Sequence, residues 1–158
     1  MGCANLAVTP NCAQRRHTLK KTIDKPAVDP VVQQRLQAVR ADLLQLHKAL
    51  LDAEQRAYEQ LNGRVTSSGQ LFKLVLNHPR FSWLRTFSDL VVRIDEMLEG
   101  DESVRPDDIA VVVASVRATV TPSETGNQFE RRYYEALQQD PGVVIAHGML
   151  AKTLSEEG

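Results

Sequence analysis

The stretch Pro79–Glu99, PRFSWLRTFSDLVVRIDEMLE, decides the fold. It holds the only Trp and two of the four Phe of a 158-residue chain. Phe81, Trp83, Leu84, Phe87, Leu90, Val91, Ile94, Met97 and Leu98 recur mostly at steps of three and four, which winds them onto one broad face of an α-helix. Such a face requires a partner. One is found upstream, where Val32, Leu36, Val39, Leu43, Leu46, Leu50, Ala53 and Ala57 alternate steps of four and three, a heptad seam.

The upstream helix is expected to begin at Asp29 and Pro30, an N-cap carboxylate followed by a first-turn proline, and to end at Asn62 and Gly63. At 1.5 Å rise per residue it forms a rod of about 50 Å. No other helix in the chain is that long, so part of the rod is expected to overhang or find a partner. The seam is read as packing against the Pro79–Glu99 helix within the chain, with a homodimer through the exposed part of the first helix as the intermolecular use of it.

Further helices follow from the same rules. Thr66, Ser67 and Ser68 offer caps for a short helix through Leu71, Phe72, Leu74, Val75 and Leu76, apolar nearly all round and therefore expected to be buried. His78 precedes Pro79 and marks a corner, because the proline ring pushes the preceding residue out of the helical region. After an acidic connection, Pro106, Asp107 and Asp108 open a helix carrying Ile109, Val112, Val113, Val116 and Val120; first-turn acids favour a helix over a strand for this valine run. Thr121, Pro122 and Glu124 have the spacing of a capping box for the next helix, whose face continues through Phe129, Tyr133, Ala136 and Leu137. Asp140 and Pro141 then cap a last helix that places Val143, Val144, His147, Leu150, Ala151 and Leu154 on one side.

The expected fold is all-α: an antiparallel bundle of about five to six helices with a long first helix, centred on the Pro79–Glu99 helix. Residues 1–28 lack periodicity and carry Arg15, Arg16, Lys20, Lys21 and Lys25, so they are expected to be a mobile, disordered basic arm outside a single helical domain over residues 29–158.

Composition narrows the function. With 42% apolar and 25% charged residues the chain is of globular type, and 19 basic against 20 acidic residues leave a net charge of −1, with no global field toward nucleic acid. Cys3 and Cys12 are too few for a zinc site. No secretory pattern and no 18-residue apolar run is present, so a cytoplasmic protein without membrane insertion is expected. Gly2 stands where a myristoylation motif begins, but Leu6 occupies the position that needs Ser or Thr.

Catalytic signals are lacking: no HExxH, no Glu-x-x-His, no GxSxG, no P-loop and no GxGxxG. No cofactor is expected. Trp83 and Arg85, and Arg131, Arg132 and Tyr134, are the candidate interaction residues, since Trp, Tyr and Arg are enriched at binding hot spots. For Trp83, at the margin of its helix face, core packing is the competing and stronger reading. Phe72, Phe87 and His147, with Trp83, are the candidates for lining an apolar ligand pocket.

Two resemblances bear on this. The segment around Ala136, Leu137, Asp140, Pro141, Ala146 and Leu150 resembles the junction between tetratricopeptide repeats, but no 34-residue period lies upstream, so it implies only a helix-turn-helix. LHKALLDAEQRAYEQLNGRV, LFKLVLNHPRFSWLRTFSDLVVRIDEMLE and TPSETGNQFERRYYEALQQDPGVVIAH resemble small helical bacterial proteins of unassigned function, across about residues 35–150. That likeness implies one compact domain and transfers no activity. The sequence therefore leads to a non-enzymatic interaction or oligomerisation module, with a small-molecule-binding or sensory bundle as the alternative.

Overall fold

The computed structural model of the protein describes residues 30–99 and 105–156. The N-terminal arm with Cys3 and Cys12, the Asp29 cap and most of the acidic connection lie outside them. The described residues form six α-helices and no strand: α1 Pro30–Asn62, α2 Ser68–Asn77, α3 Arg85–Glu99, α4 Pro106–Thr119, α5 Gln128–Gln139 and α6 Pro141–Ser155. A short 3-10 turn, Ser82–Leu84, leads into α3.

α1 spans 33 residues and ends where Gly63 turns to φ +87°, its N–H closing on the Glu59 carbonyl at 3.1 Å. A side chain at that φ is strained, so glycine ends the helix cleanly. Along α1 the middle of the seam, Leu36, Val39, Leu43, Leu46 and Leu50, is buried, while Val32, Ala53 and Ala57 at its ends are half-buried.

The seam's partners differ from the sequence expectation. α1 packs most extensively against α6 and next against α3, and it also touches α4 and the 3-10 turn. The centre of the bundle is therefore α1, not the Pro79–Glu99 helix. Heptad lettering explains the arrangement. With Leu36, Leu43 and Leu50 at a, the e positions include Arg40, His47 and Glu54, and the g positions include Asp42, Ala49 and Arg56. These three e residues reach toward α3 and the turn that precedes it: Arg40 pairs with Asp95, His47 stacks on Phe87 at 6.3 Å, and Glu54 bonds Arg80 and Trp83. On the other flank, Arg56 pairs with Asp140 and Asp42 accepts from Thr153 Oγ1 at 2.6 Å. Both series run in reverse chain order, so α3 and α6 each pack antiparallel to α1.

Local chemistry sets the remaining boundaries. Ser67 accepts from the Gln70 N–H and caps α2. His78 is extended at φ −91°, ψ 130°, as its proline neighbour demands. The predicted start of the third helix at Pro79 is corrected: turns occupy Pro79–Phe81, and the α-helix proper begins at Arg85. The valine run is helical, with Ile109, Val112, Val113, Val116 and Val120 buried.

The capping box expected at Thr121 also moves. Thr121 Oγ1 is used backward, donating to the Arg117 carbonyl at 2.8 Å at the end of α4. The box forms instead between Asn127 and Glu130, which bond each other's backbone N–H at 3.0 and 2.9 Å. Gly126 is required beside it, because a Cβ there would run into the Glu130 carboxylate and the Ser123 side chain. Only Asp140 separates α5 from α6, and its Oδ1 accepts from Gly142 and Val143 N–H at 2.8 and 3.3 Å.

α2 departs most from its sequence reading. It contains no buried residue; Leu71, Leu74 and Val75 pack partly against the core, while Phe72 and Leu76 are exposed. On α6 the buried face is Val143, Ala146, Leu150 and Leu154, so Ala146 takes the place expected for Val144.

Leu46→Ala is expected to cost about 2–5 kcal/mol of unfolding free energy, since the cavity forms in the closed seam. Leu61→Ala, on the same helix but 77% exposed, is expected to change it by less than about 0.5 kcal/mol. Urea denaturation followed by the fluorescence of the single Trp measures both.

Candidate functional site

Trp83 is turned inward. Its side chain is buried, its ring meets Phe87 and Phe129 edge-on at 6.1 and 5.7 Å, and its Nε1 donates to Glu54 Oε1 at 3.0 Å. The 3-10 turn that carries it brings the indole under α5, and Glu54 of α1 satisfies the one polar atom it buries. Glu54 Oε2 also takes the Arg80 Nε–H at 2.6 Å, and Arg132 Nη1 donates to the Arg80 carbonyl at 3.0 Å. Of the sequence candidates, Trp83 and Arg132 thus join one network linking α1, the turn and α5. Arg85 and Arg131 are exposed and Tyr134 is half-buried, none of them in that network.

Around the network lies a cleft of about 320 Å³ lined by Glu54, Arg56, Arg80, Arg132, Glu135 and Asp140, among others. Three guanidinium groups face three carboxylates, so the cleft has no net charge. For Asp140, burial opposes ionisation, but hydrogen bonds from Arg56, Gly142 and Val143 outweigh it and hold the carboxyl below its usual range. Arg56 pairs with Asp140 and Arg80 with Glu54, while Arg132 is held by the Arg80 carbonyl. The arrangement is a clasp between helices.

A second polar group lies deeper. Tyr133 of α5 is fully buried, touching Phe87 and Phe129, and its hydroxyl stands 2.7 Å from His147 Nδ1 on α6. Burial raises the Tyr133 pKa and lowers that of His147, so a protonated phenol and a neutral imidazole share this hydrogen bond. His47 beside Phe87 is likewise held neutral by burial. His147 also lines an open cleft of about 360 Å³ with Arg117, Val120 and Leu154.

The residues read from sequence as one apolar pocket are not gathered. Phe87 is fully buried beside Trp83, His147 stands behind Tyr133, and Phe72 is 62% exposed on α2 with no ring contact to any of them. What sequence reading missed is the role of Glu54 and the Tyr133–His147 pair. Heptad lettering marks Glu54 as a flank residue; nothing local marks the pair, which forms only when the Asp140 corner folds α6 against α5.

One surface stands apart. Between Pro141 and Ala151 no Asp, Glu, Lys or Arg occurs, yet Val144, Ile145 and Met149 of α6 are 47%, 66% and 51% exposed. Among the described residues no three His, Cys, Asp or Glu side chains cluster as metal ligands, and no helix is long and apolar enough to cross a membrane. No protein-family model matches the chain, and no curated protein or solved structure is found similar to it.

The half-buried His47 and His147 fix the sign of a pH effect. Their pKa values are lowered from 6.5 on folding, so the unfolded chain takes up protons first as the pH falls. Stability is fully present above about pH 6.5 and declines as the pH drops from there toward the folded-state values. Urea midpoints measured between pH 7.5 and 5 are expected to fall, and His147→Gln is expected to flatten part of that slope.

Proposed function

We propose that the protein is a non-enzymatic helical interaction module and that it docks through the outer face of α6. The observation that carries this reading is the eleven-residue stretch Pro141–Ala151, free of charge on every side of the helix. A solvated helix face ordinarily carries charged residues, and a helix apolar all round ordinarily has both faces covered. Here α1, α4 and α5 cover only the face of Val143, Ala146, Leu150 and Leu154. Contiguous exposed apolar surface of this type marks interaction sites in soluble proteins.

This places the interaction away from the residues favoured by composition. Trp83 is enclosed, and the buried part of the α1 seam is covered by α6 and α3. The exposed pair Phe72 and Leu76 on α2 is a smaller apolar surface, interrupted by Lys73 and Asn77. A ligand pocket among Phe72, Trp83, Phe87 and His147 has less behind it, since neither of the clefts described above is lined by more than one of the four.

Site-specific photo-crosslinking in cells tests the docking face. A benzophenone side chain in place of Ile145 is expected to give a discrete adduct, and one in place of the exposed Glu135 is expected to give none. Absence of an adduct at position 145, or equal yields at both positions, contradicts the reading.

A further inference from the structure

The charged cleft between α1 and α5 contains one cation and one anion that the chain does not pair. Arg56 is matched by Asp140 and Arg80 by Glu54. That leaves Arg132 and Glu135, neither of which enters an ion pair among the described residues. We propose that this cleft binds a small zwitterion of the α-amino-acid type, its carboxylate on the Arg132 guanidinium and its ammonium on the Glu135 carboxylate. The site makes no use of the exposed face of α6, so the two readings stand or fall separately.

The space exists because α1 packs chiefly against α6 and α3, leaving α5 to stand away from it across a gap of about 320 Å³. That volume is at the small end of the range for ligand sites, suited to a metabolite of about ten non-hydrogen atoms. Small side chains keep it open: Ala53 and Ala57 of α1 and Ala136 of α5 line it, with Leu50 beside them. They offer apolar contact to the carbon atoms of a ligand whose charged ends lie elsewhere.

The charges select the class of ligand. Arg132 is half-buried, and it spends one of its five N–H donors on the Arg80 carbonyl, at 3.0 Å from Nη1. A neutral carbonyl fixes the guanidinium in place without compensating its charge, and the remaining donors suit the two oxygens of a carboxylate. Glu135 follows three residues later on the same helix, which sets the two Cβ atoms about 5–6 Å apart. An α-amino acid carries its opposite charges on one carbon atom and spans such neighbours. A simple anion would meet Glu135 as well as Arg132, and a simple cation the reverse. The cleft has three cations and three anions, so a ligand without net charge leaves its balance intact.

Glu54 connects the cleft to a single-residue reporter, since its Oε1 takes the Trp83 Nε1–H at 3.0 Å. A ligand of about ten non-hydrogen atoms at ordinary efficiency implies a Kd of roughly 10 μM to 10 mM. Titration of the isotope-labelled full chain over this range with glycine, L-alanine, L-leucine and L-glutamine, read by the Trp83 indole and Arg132 Nε–H resonances, tests the proposal. At least one of them is expected to shift both signals saturably. Its N-acetylated and C-amidated forms, each lacking one charge, and acetate are expected to bind about tenfold more weakly or worse. Glu135 is exposed and accepts no hydrogen bond within the chain, so Glu135→Gln is expected to weaken binding about tenfold with Tm unchanged. Arg132→Lys keeps the charge but loses the planar fork, and it is expected to weaken binding while the Trp83 signal still reports a folded protein. No saturable shift with any of the amino acids overturns the proposal. Equal binding of the free and N-acetylated forms, or binding unaltered by both substitutions, overturns it as well.

Discussion

The closed apolar seam of α1 is the constraint on which the rest of the structure depends. Leu36, Val39, Leu43, Leu46 and Leu50 are at most 2% exposed, and full burial of such a side chain stabilises by about 1.5–3 kcal/mol. A seam of this kind has two flanks, and the chain uses each for a different helix. Arg40, His47 and Glu54 hold the α3 side; Asp42 and Arg56 hold the α6 side. Isolated exposed ion pairs contribute little. Here their significance is register, since they fix how far α3 and α6 slide along α1.

That register sets the polar interior. Sliding α3 by one turn would separate Trp83 Nε1 from Glu54 and leave an indole N–H buried without an acceptor, which costs about 1–3 kcal/mol. Sliding α6 would part His147 from Tyr133 in the same way. The rings of Trp83, Phe87, Phe129 and Tyr133 touch one another between α3 and α5, beside both polar pairs. Because the middle of the seam is buried within the chain, the exposed apolar surface is on the outside of helices, as at Val144, Ile145 and Met149 of α6.

Much of this was legible in the sequence where a signal is local. The seam, the glycine stop at Gly63, the His78 corner and the Asp140–Pro141 cap are each specified by a few adjacent residues. What was not legible required knowing the neighbour. The Pro79–Glu99 stretch drew attention by its aromatics, yet α6 covers more of α1, and nothing in either sequence compares their contact. Apolar α2 was expected to be buried, but the helices that would cover Phe72 pack elsewhere. The sequence spacing points to Thr121 as the cap, but its hydroxyl bonds the end of α4 and Asn127 caps α5 instead. Trp83, Arg132 and Arg85 look alike as hot-spot candidates in sequence, while the structure encloses the first, ties the second to Arg80 and leaves the third exposed.

Native-state hydrogen exchange across a range of low urea concentrations tests the primacy of the α1 seam most directly. The amides of Leu43, Leu46 and Leu50 are expected to exchange only through global unfolding, with opening free energies equal to that of the whole transition, while those of Leu74–Leu76 in α2 open at lower cost. If the α1 amides instead open at lower free energy than those of Ala146 and Leu150 in α6, α1 is not the element around which the fold is built.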